Sequence, residues 1–178
     1  MNLVLIGYRG TGKSSVASLL GERLGRRVVS LDQRLVLRAG QPIPEFVAEH
    51  GWHAFRDLEA ELCAEHARQD GLVLDCGGGI VERTANVEAL RANGRVVWLR
   101  AEIPTIVERI RHGTERPSLT GTGSFVDEVA DVLGRRTPLY RAAADLEVVT
   151  DGRGLADIAG EVAEWFARQE GYGRPIGQ

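Results

Sequence analysis

Lysine is almost missing from this chain: among 22 cationic residues in 178, Lys13 is the only lysine and every other one is arginine. Arginine is a planar fork and lysine a compact ammonium on a flexible stem, so a lone lysine marks a position where a fork does not fit. Cysteine is equally sparse. Cys63 and Cys76 cannot build a disulfide framework or a cysteine-rich metal site, and reduced thiols in a cytoplasmic protein are the expectation. No apolar run approaches the roughly 20 residues that span a bilayer. The opening "MNLVLIGYRG" lacks both a basic segment and a small-residue cleavage site, so no secretory leader is expected. A net charge of -3 argues against broad nucleic-acid binding and against a polybasic membrane anchor. Any anionic ligand must then be held by a local cluster of charge.

What is present is an alternation of short apolar runs with amphipathic stretches. Strands are expected at 3–6, 27–31, 72–75, 95–99 and 146–150. Helical spacing between them is clearest at the end, where Leu155, Ile158, Val162, Trp165 and Phe166 would form one buried stripe. Such βαβα order predicts an α/β protein with a five-stranded parallel sheet and helices on both faces. Near-continuous apolar strands fit a sheet covered on both sides. Residues 1–170 are expected to form one domain. Within it, 111–124 ("RHGTERPSLTGTGS") reads as a mobile lid, and 171–178 as a frayed tail.

The stretch "GYRGTGKS" matches G-x-x-x-x-G-K-[ST], with Gly7, Gly12, Lys13 and Ser14 in the fixed positions. A strand precedes it and a helix with Val16, Leu19, Leu20 and Leu24 on one face follows it. Glycines let successive N–H groups curl toward phosphates, and the helix adds its positive end. Lys13 would reach the β- and γ-phosphates, and the Ser14 hydroxyl would ligate Mg²⁺. Gly10, Thr11 and Ser15 complete the expected ATP-binding loop. The competing reading is a glycine-rich turn with an incidental lysine. "LVLDCGG" ends a strand in Asp75, the pattern of a metal-supporting carboxylate beside the loop; an Asp that merely caps the next turn is the structural alternative.

Phosphate loops serve kinases, GTPases and motors alike. The guanine-reading N-K-x-D is excluded because Lys13 is the only lysine, and the chain is short for a motor module. A small-metabolite or nucleotide kinase remains. Asp32 follows the second strand, Arg56 and Glu59 stand one helical turn apart, and Gly77, Gly78 and Gly79 follow the third strand. An acceptor, an arginine and a glycine wall suit a small, hydroxylated, anionic substrate. The structural alternatives are an exposed i,i+3 pair for Arg56 with Glu59 and a solvated neighbour of Arg135 for Arg136. His53, His66 and Cys63 read as ordinary helix residues, and His112 as a surface loop residue.

Taken in order, "GYRGTGKSS", Asp32 eight residues before Gly40, "FRDLE", "CGGGIV", "RPSL" and "RRTPLY" resemble the shikimate kinase family over about residues 2 to 168. The resemblance implies a three-layer P-loop kinase fold. It also implies ATP-dependent phosphorylation of the 3-hydroxyl of shikimate to shikimate 3-phosphate, on the chorismate route to aromatic amino acids. By that resemblance Asp32 contacts the attacking hydroxyl, Arg56 and Arg136 clamp the carboxylate, and the Gly77–Gly79 backbone closes the pocket. Arg116 in "RPSL" would fold over the transferring phosphate, while Arg109 and Arg153 would flank the adenine. Mg²⁺ is the implied cofactor, ATP and shikimate the small-molecule partners, and a monomer the favoured state. A kinase for another hydroxy acid such as gluconate, a nucleoside monophosphate kinase, and a nucleotide-binding paralogue without catalysis stay open.

One position departs from the pattern. The family usually carries D-x-D after its second strand, and here the chain reads Ser30-Leu31-Asp32. Ser30 stands where the metal carboxylate is expected, and Asp75 where the family often has a neutral residue. The expectation is that the carboxylate has moved to Asp75, since Mg²⁺ keeps several waters and needs only one or two carboxylates.

Overall fold

The computed structural model describes residues 1–111 and 125–172. Five parallel strands, β1 (Asn2–Ile6), β2 (Arg27–Ser30), β3 (Leu72–Asp75), β4 (Gly94–Arg100) and β5 (Leu146–Val149), lie in the order β2-β3-β1-β4-β5. From β1 the chain runs through α1 (Lys13–Leu24) out to the β2 edge, whereas from β3 it crosses β1 to reach β4. Beside β1, therefore, the connections diverge. In open parallel sheets that is where a crevice opens at the carboxyl ends of the strands.

Period-two alternation builds the layers. Leu3 and Leu5 of β1 join Val16 and Leu20 of α1 and Ile158, Val162 and Phe166 of α7 (Leu155–Tyr172) in one core. Val4 and Ile6 point the other way. There they meet Cys63 of α3 (Ile43–Ala67), Leu90 of α4 (Thr84–Ala92) and Tyr140 of α6 (Phe125–Ala143). Trp98 stacks on Tyr140 with ring centroids 5.7 Å apart. A third cluster joins α5 (Ile103–Arg111) to α6 through Ile106, Val129 and Val132. Burying each large apolar side chain contributes roughly 1.5–3 kcal/mol, so both faces of β1 anchor the loop that leaves its end.

Three details differ from the sequence reading. The stripe on α7 omits Leu155, which is 44% exposed; it sits at the helix start, where a Cβ on Gly12 would meet it at 3.4 Å. The edge strands are only half covered, with Val28 and Val149 exposed, because each has a neighbour on one side. The second strand ends at Ser30, since Leu31 already begins α2 (Leu31–Ala39) and the Ser30 hydroxyl accepts the Gln33 N–H at 3.4 Å. That is an N-cap. α3 is broken at Gly51, whose φ of 82° and ψ of 166° are not helical, so residues 43–50 swing away from the rest. His53, His66 and Cys63 are helix residues of α3 as expected; His53 is exposed, and His66 and Cys63 are buried. Arg116, His112 and all of the expected lid except Arg111, which closes α5, lie outside the described residues. Of the expected tail, residues 171–172 close α7 and 173–178 lie outside the described residues.

Candidate active site

The loop after β1 turns back through positive φ at Gly7 (141°) and Gly12 (90°). At Gly7 even the space is closed, because a Cβ there would lie 2.3 Å from the Leu99 carbonyl oxygen. The Thr11 hydroxyl donates to the Tyr8 carbonyl at 2.7 Å and the Lys13 ammonium donates to the same oxygen at 2.9 Å. Lys13 is 8% exposed. Its ammonium is thus folded into the loop, at the first residue of α1, where backbone N–H groups and the helix dipole favour anions. Ser14 and Ser15 follow on the open face of that first turn.

Asp75 ends β3 in register with Leu5 of β1 and Ser30 of β2. Its carboxylate accepts the Ser14 hydroxyl at 2.7 Å and is almost wholly buried. A hydroxyl and a carboxylate so paired at the mouth of a phosphate loop fit Mg²⁺, a hard cation that takes oxygen ligands and retains water. Ser30 instead spends its hydroxyl on the helix cap. No cluster of three or more His, Cys, Asp or Glu side chains with metal-binding geometry occurs among the described residues. A two-residue site completed by phosphates and water is the form that fits.

Next to the loop lies a cavity of about 280 Å³, bounded by Tyr8, Arg9, Asp32, Arg56, Glu59, Arg136 and the Gly77–Gly79 backbone. Ile43, Val47 and Phe55, together with half-exposed Trp52, supply an apolar wall, and the break at Gly51 is what brings the first half of α3 over the cavity. Asp32 is placed by the first turn of α2. Arg56 donates to Glu59 at 2.7 Å and pairs with Glu82 at 3.1 Å; Arg136 Nε donates to the other oxygen of Glu82 at 2.8 Å. One carboxylate therefore braces two guanidinium groups side by side. Glu59 is 3% exposed, and burial lifts its carboxyl above the ordinary value against the pull of Arg56. Arg56 also lies 5.0 Å over the Phe55 ring. The Tyr140 hydroxyl donates to the Gly78 carbonyl and fixes the glycine wall, and burial pushes its phenol above the ordinary value.

The glycine triplet is a matter of room. A Cβ on Gly79 would lie 2.1 Å from Arg56 NH2, and one on Gly77 2.7 Å from Asp32 Oδ1. On the opposite side of the phosphate loop, Arg109 donates to the carbonyls of Gly10 (3.2 Å) and Thr150 (3.0 Å). Arg153 follows in the same β5–α7 turn and pairs with Glu161 at 2.6 Å. The structure thus gathers Lys13, Ser14 and Asp75 at one point, Asp32, Arg56, Arg136 and the glycines at a second, and Arg109 with Arg153 at a third.

A shikimate kinase family model matches residues 9–167. The chain belongs to the shikimate kinase family. The shikimate kinase of Symbiobacterium thermophilum is 40% identical over 165 residues, covering 92% of this chain and 95% of that one. A Dehalococcoides mccartyi shikimate kinase is 36% identical, with 95% of each chain covered. Among solved structures, the shikimate kinase of Acinetobacter baumannii in complex with shikimate superposes with a TM-score of 0.89 at 29% identity, covering 95% of this chain and 94% of that one. The fold is the P-loop kinase fold of that family, and no helix among the described residues is long and apolar enough to cross a membrane. Sequence reading passed over Glu82 and Tyr140. Tyr140 stands one helical turn after Arg136, a spacing that could have flagged it. Glu82, in a 3₁₀ turn after the glycines, carries no signal of its own.

Proposed function

We propose that this protein transfers the γ-phosphoryl group of ATP to the 3-hydroxyl of shikimate through the residues gathered at the three points above. The observation that carries the reading is the pair of guanidinium groups, Arg56 and Arg136, braced by Glu82 beside Asp32 and opening onto the phosphate loop. Two forks held in one place bind a planar carboxylate with fixed orientation. With the carboxylate docked there, the ring lies against the glycine wall and the apolar side, and its hydroxyls face Asp32. A nucleoside monophosphate gains nothing from that wall.

Phosphoryl transfer asks for positioning and charge neutralisation more than covalent chemistry. The Asp32 carboxylate holds the attacking hydroxyl and takes its proton as the oxygen–phosphorus bond forms. The bond from phosphorus to the β-phosphate oxygen breaks, and ADP leaves. Lys13 exchanges its contact with the Tyr8 carbonyl for phosphate oxygens. Ser14 and Asp75 would hold Mg²⁺, which when bound neutralises charge on the β- and γ-phosphates. Ser30 serves the α2 cap, which supports the reading that the metal carboxylate has moved from β2 to its neighbour β3. Arg109 and Arg153 flank the base at the β5–α7 turn, and the "RPSL" motif assigns Arg116 to the transferring phosphate. Residues 1–170 act as one kinase unit.

The test is ADP release from Mg·ATP by purified protein, with and without shikimate, followed by a panel of other hydroxy acids including gluconate. Release that depends on shikimate is expected. Release with gluconate and not shikimate would overturn the acceptor, and tight ATP binding without release would overturn the catalytic reading.

A further inference from the structure

Four buried side-chain nitrogen or oxygen atoms among the described residues have no hydrogen-bond partner, and three of them belong to one dipeptide of the phosphate loop: Tyr8 OH, Arg9 Nε and Arg9 NH2. The fourth, His66 Nε2, lies at the other end of the sheet, where the same ring meets Gln69 at 2.9 Å. Buried polar groups are hydrogen-bonded in the great majority of cases. Donors left open in the wall of a ligand cavity are completed by what enters it.

Arg9 is not loose. Its guanidinium carbon lies 5.8 Å from the Tyr8 ring centroid and 5.6 Å from that of Phe125, so two aromatic rings hold the group. Its NH2 is 3.6 Å from an oxygen of buried Glu128 on α6, close enough to keep the charge but too far for a hydrogen bond. The side chain is 15% exposed, and it lines the same cavity as Asp32. A charged fork is thus fixed in place with donors unspent.

Its position decides which group of the ligand it meets. Arg56 and Arg136 already stand together for the carboxylate, braced by Glu82. Arg9 belongs to the phosphate loop, directly after the residue whose carbonyl receives both Thr11 and Lys13. It therefore stands on the boundary between the nucleotide's phosphates and the acceptor, which the moving phosphoryl group must cross. We propose that Arg9 binds phosphate on the acceptor side: it donates to the phosphoryl oxygens as phosphorus moves to the acceptor hydroxyl, and it holds the phosphate of the product. This rests on the shikimate kinase reading given above.

Trp52 lines the cavity and offers a fluorescence signal for direct titration without nucleotide. The comparison is of shikimate with shikimate 3-phosphate as ligands, in wild type, R9M, R9K and E128Q, together with steady-state rates. For R9M the shikimate Kd should stay within about threefold while the Kd of the phosphorylated product rises at least about tenfold. Its kcat should fall on the order of 10²-fold, as when one preorganised donor is removed from a transition state. R9K should recover part of that loss as a point charge. E128Q, which removes the charged neighbour and leaves the fork, should keep the wild-type ratio of the two Kd values. Equal weakening of both ligands in R9M, no weakening of either, or an E128Q phenotype matching R9M would overturn the proposal. If R9M does not fold, the same ratio is read on R9Q, which keeps donors and loses charge. Wild-type protein that neither binds shikimate nor releases ADP with it would overturn the shikimate reading itself, an outcome no Arg9 variant produces.

Discussion

Replacing Gly79 by alanine should separate binding from folding. Gly79 has φ −93° and ψ 2°, a conformation open to any residue, so the backbone is not strained by a side chain. The trouble is Arg56, whose NH2, Cζ and NH1 would lie 2.1, 2.4 and 2.4 Å from the new methyl carbon. Ordinary contact begins near 3.4 Å, so the guanidinium must retreat by about 1.3 Å. It is pinned at 2.7 Å to buried Glu59 and at 3.1 Å to Glu82, and a retreat of that size takes at least one of these beyond hydrogen-bonding range. A lost charge-assisted bond costs about 1.5–3 kcal/mol, and each 1.4 kcal/mol is about tenfold. The shikimate KM of G79A should therefore rise roughly 10- to 100-fold, with the ATP KM within about threefold of wild type. Gly134 of α6, which does not line the cavity, supplies the internal control, because its Cβ would meet nothing within 4 Å. Initial rates with each substrate varied in turn decide the matter. An unchanged shikimate KM in G79A, or a G134A variant harmed as much, would refute the reasoning.

Asp75→Asn should raise the Mg²⁺ concentration for half-maximal rate at least about tenfold, and adding Ser30→Asp should restore part of the loss; unchanged metal dependence in D75N, or no rescue, would return the metal carboxylate to an unassigned position. Lys13→Met and Asp32→Asn should each lower kcat by more than about 10³-fold while circular dichroism stays native, and near-normal turnover in either would remove that residue from the mechanism. Glu59→Gln should alter stability with a definite sign: the folded-state pKa of Glu59 is raised, so the wild type loses stability as pH climbs from the ordinary value of 4.5 through the raised one, whereas glutamine does not. The Tm difference, E59Q minus wild type, should therefore grow as pH rises above about 4.5 in thermal melts, and a difference that shrinks with rising pH would contradict the burial argument.

The phosphate loop, the five strands and the glycine triplet were legible in the chain because each is a local pattern. A loop that wraps phosphate needs glycines and a lysine at fixed spacing, and an inner strand needs a continuous apolar run. The same logic made Asp32 and Arg56 candidates and placed Asp75 at a strand end, whereas Arg136 came from the family resemblance alone. Locality also set the errors. Leu155 shares the spacing of the α7 stripe but sits where the helix has only begun to pack, and Val28 lies on a strand whose outer side has no neighbour.

Tertiary structure alone decided which charges meet. The pairing of Ser14 with Asp75 depends on β1 and β3 being neighbours, a consequence of sheet order that no residue pattern states. Ser30 became a helix cap because β2 ends one residue sooner than expected and α2 begins at Leu31. Arg56 and Arg136 lie 80 residues apart in the chain and stand side by side only because Glu82 reaches both. Arg9 shows the same limit: its residue type was visible from the start, but its burial between two rings with donors unspent was not. Sequence specifies the groups a local turn can bring together; long-range packing in a low-dielectric interior decides which of them must find partners, and which are left for a ligand.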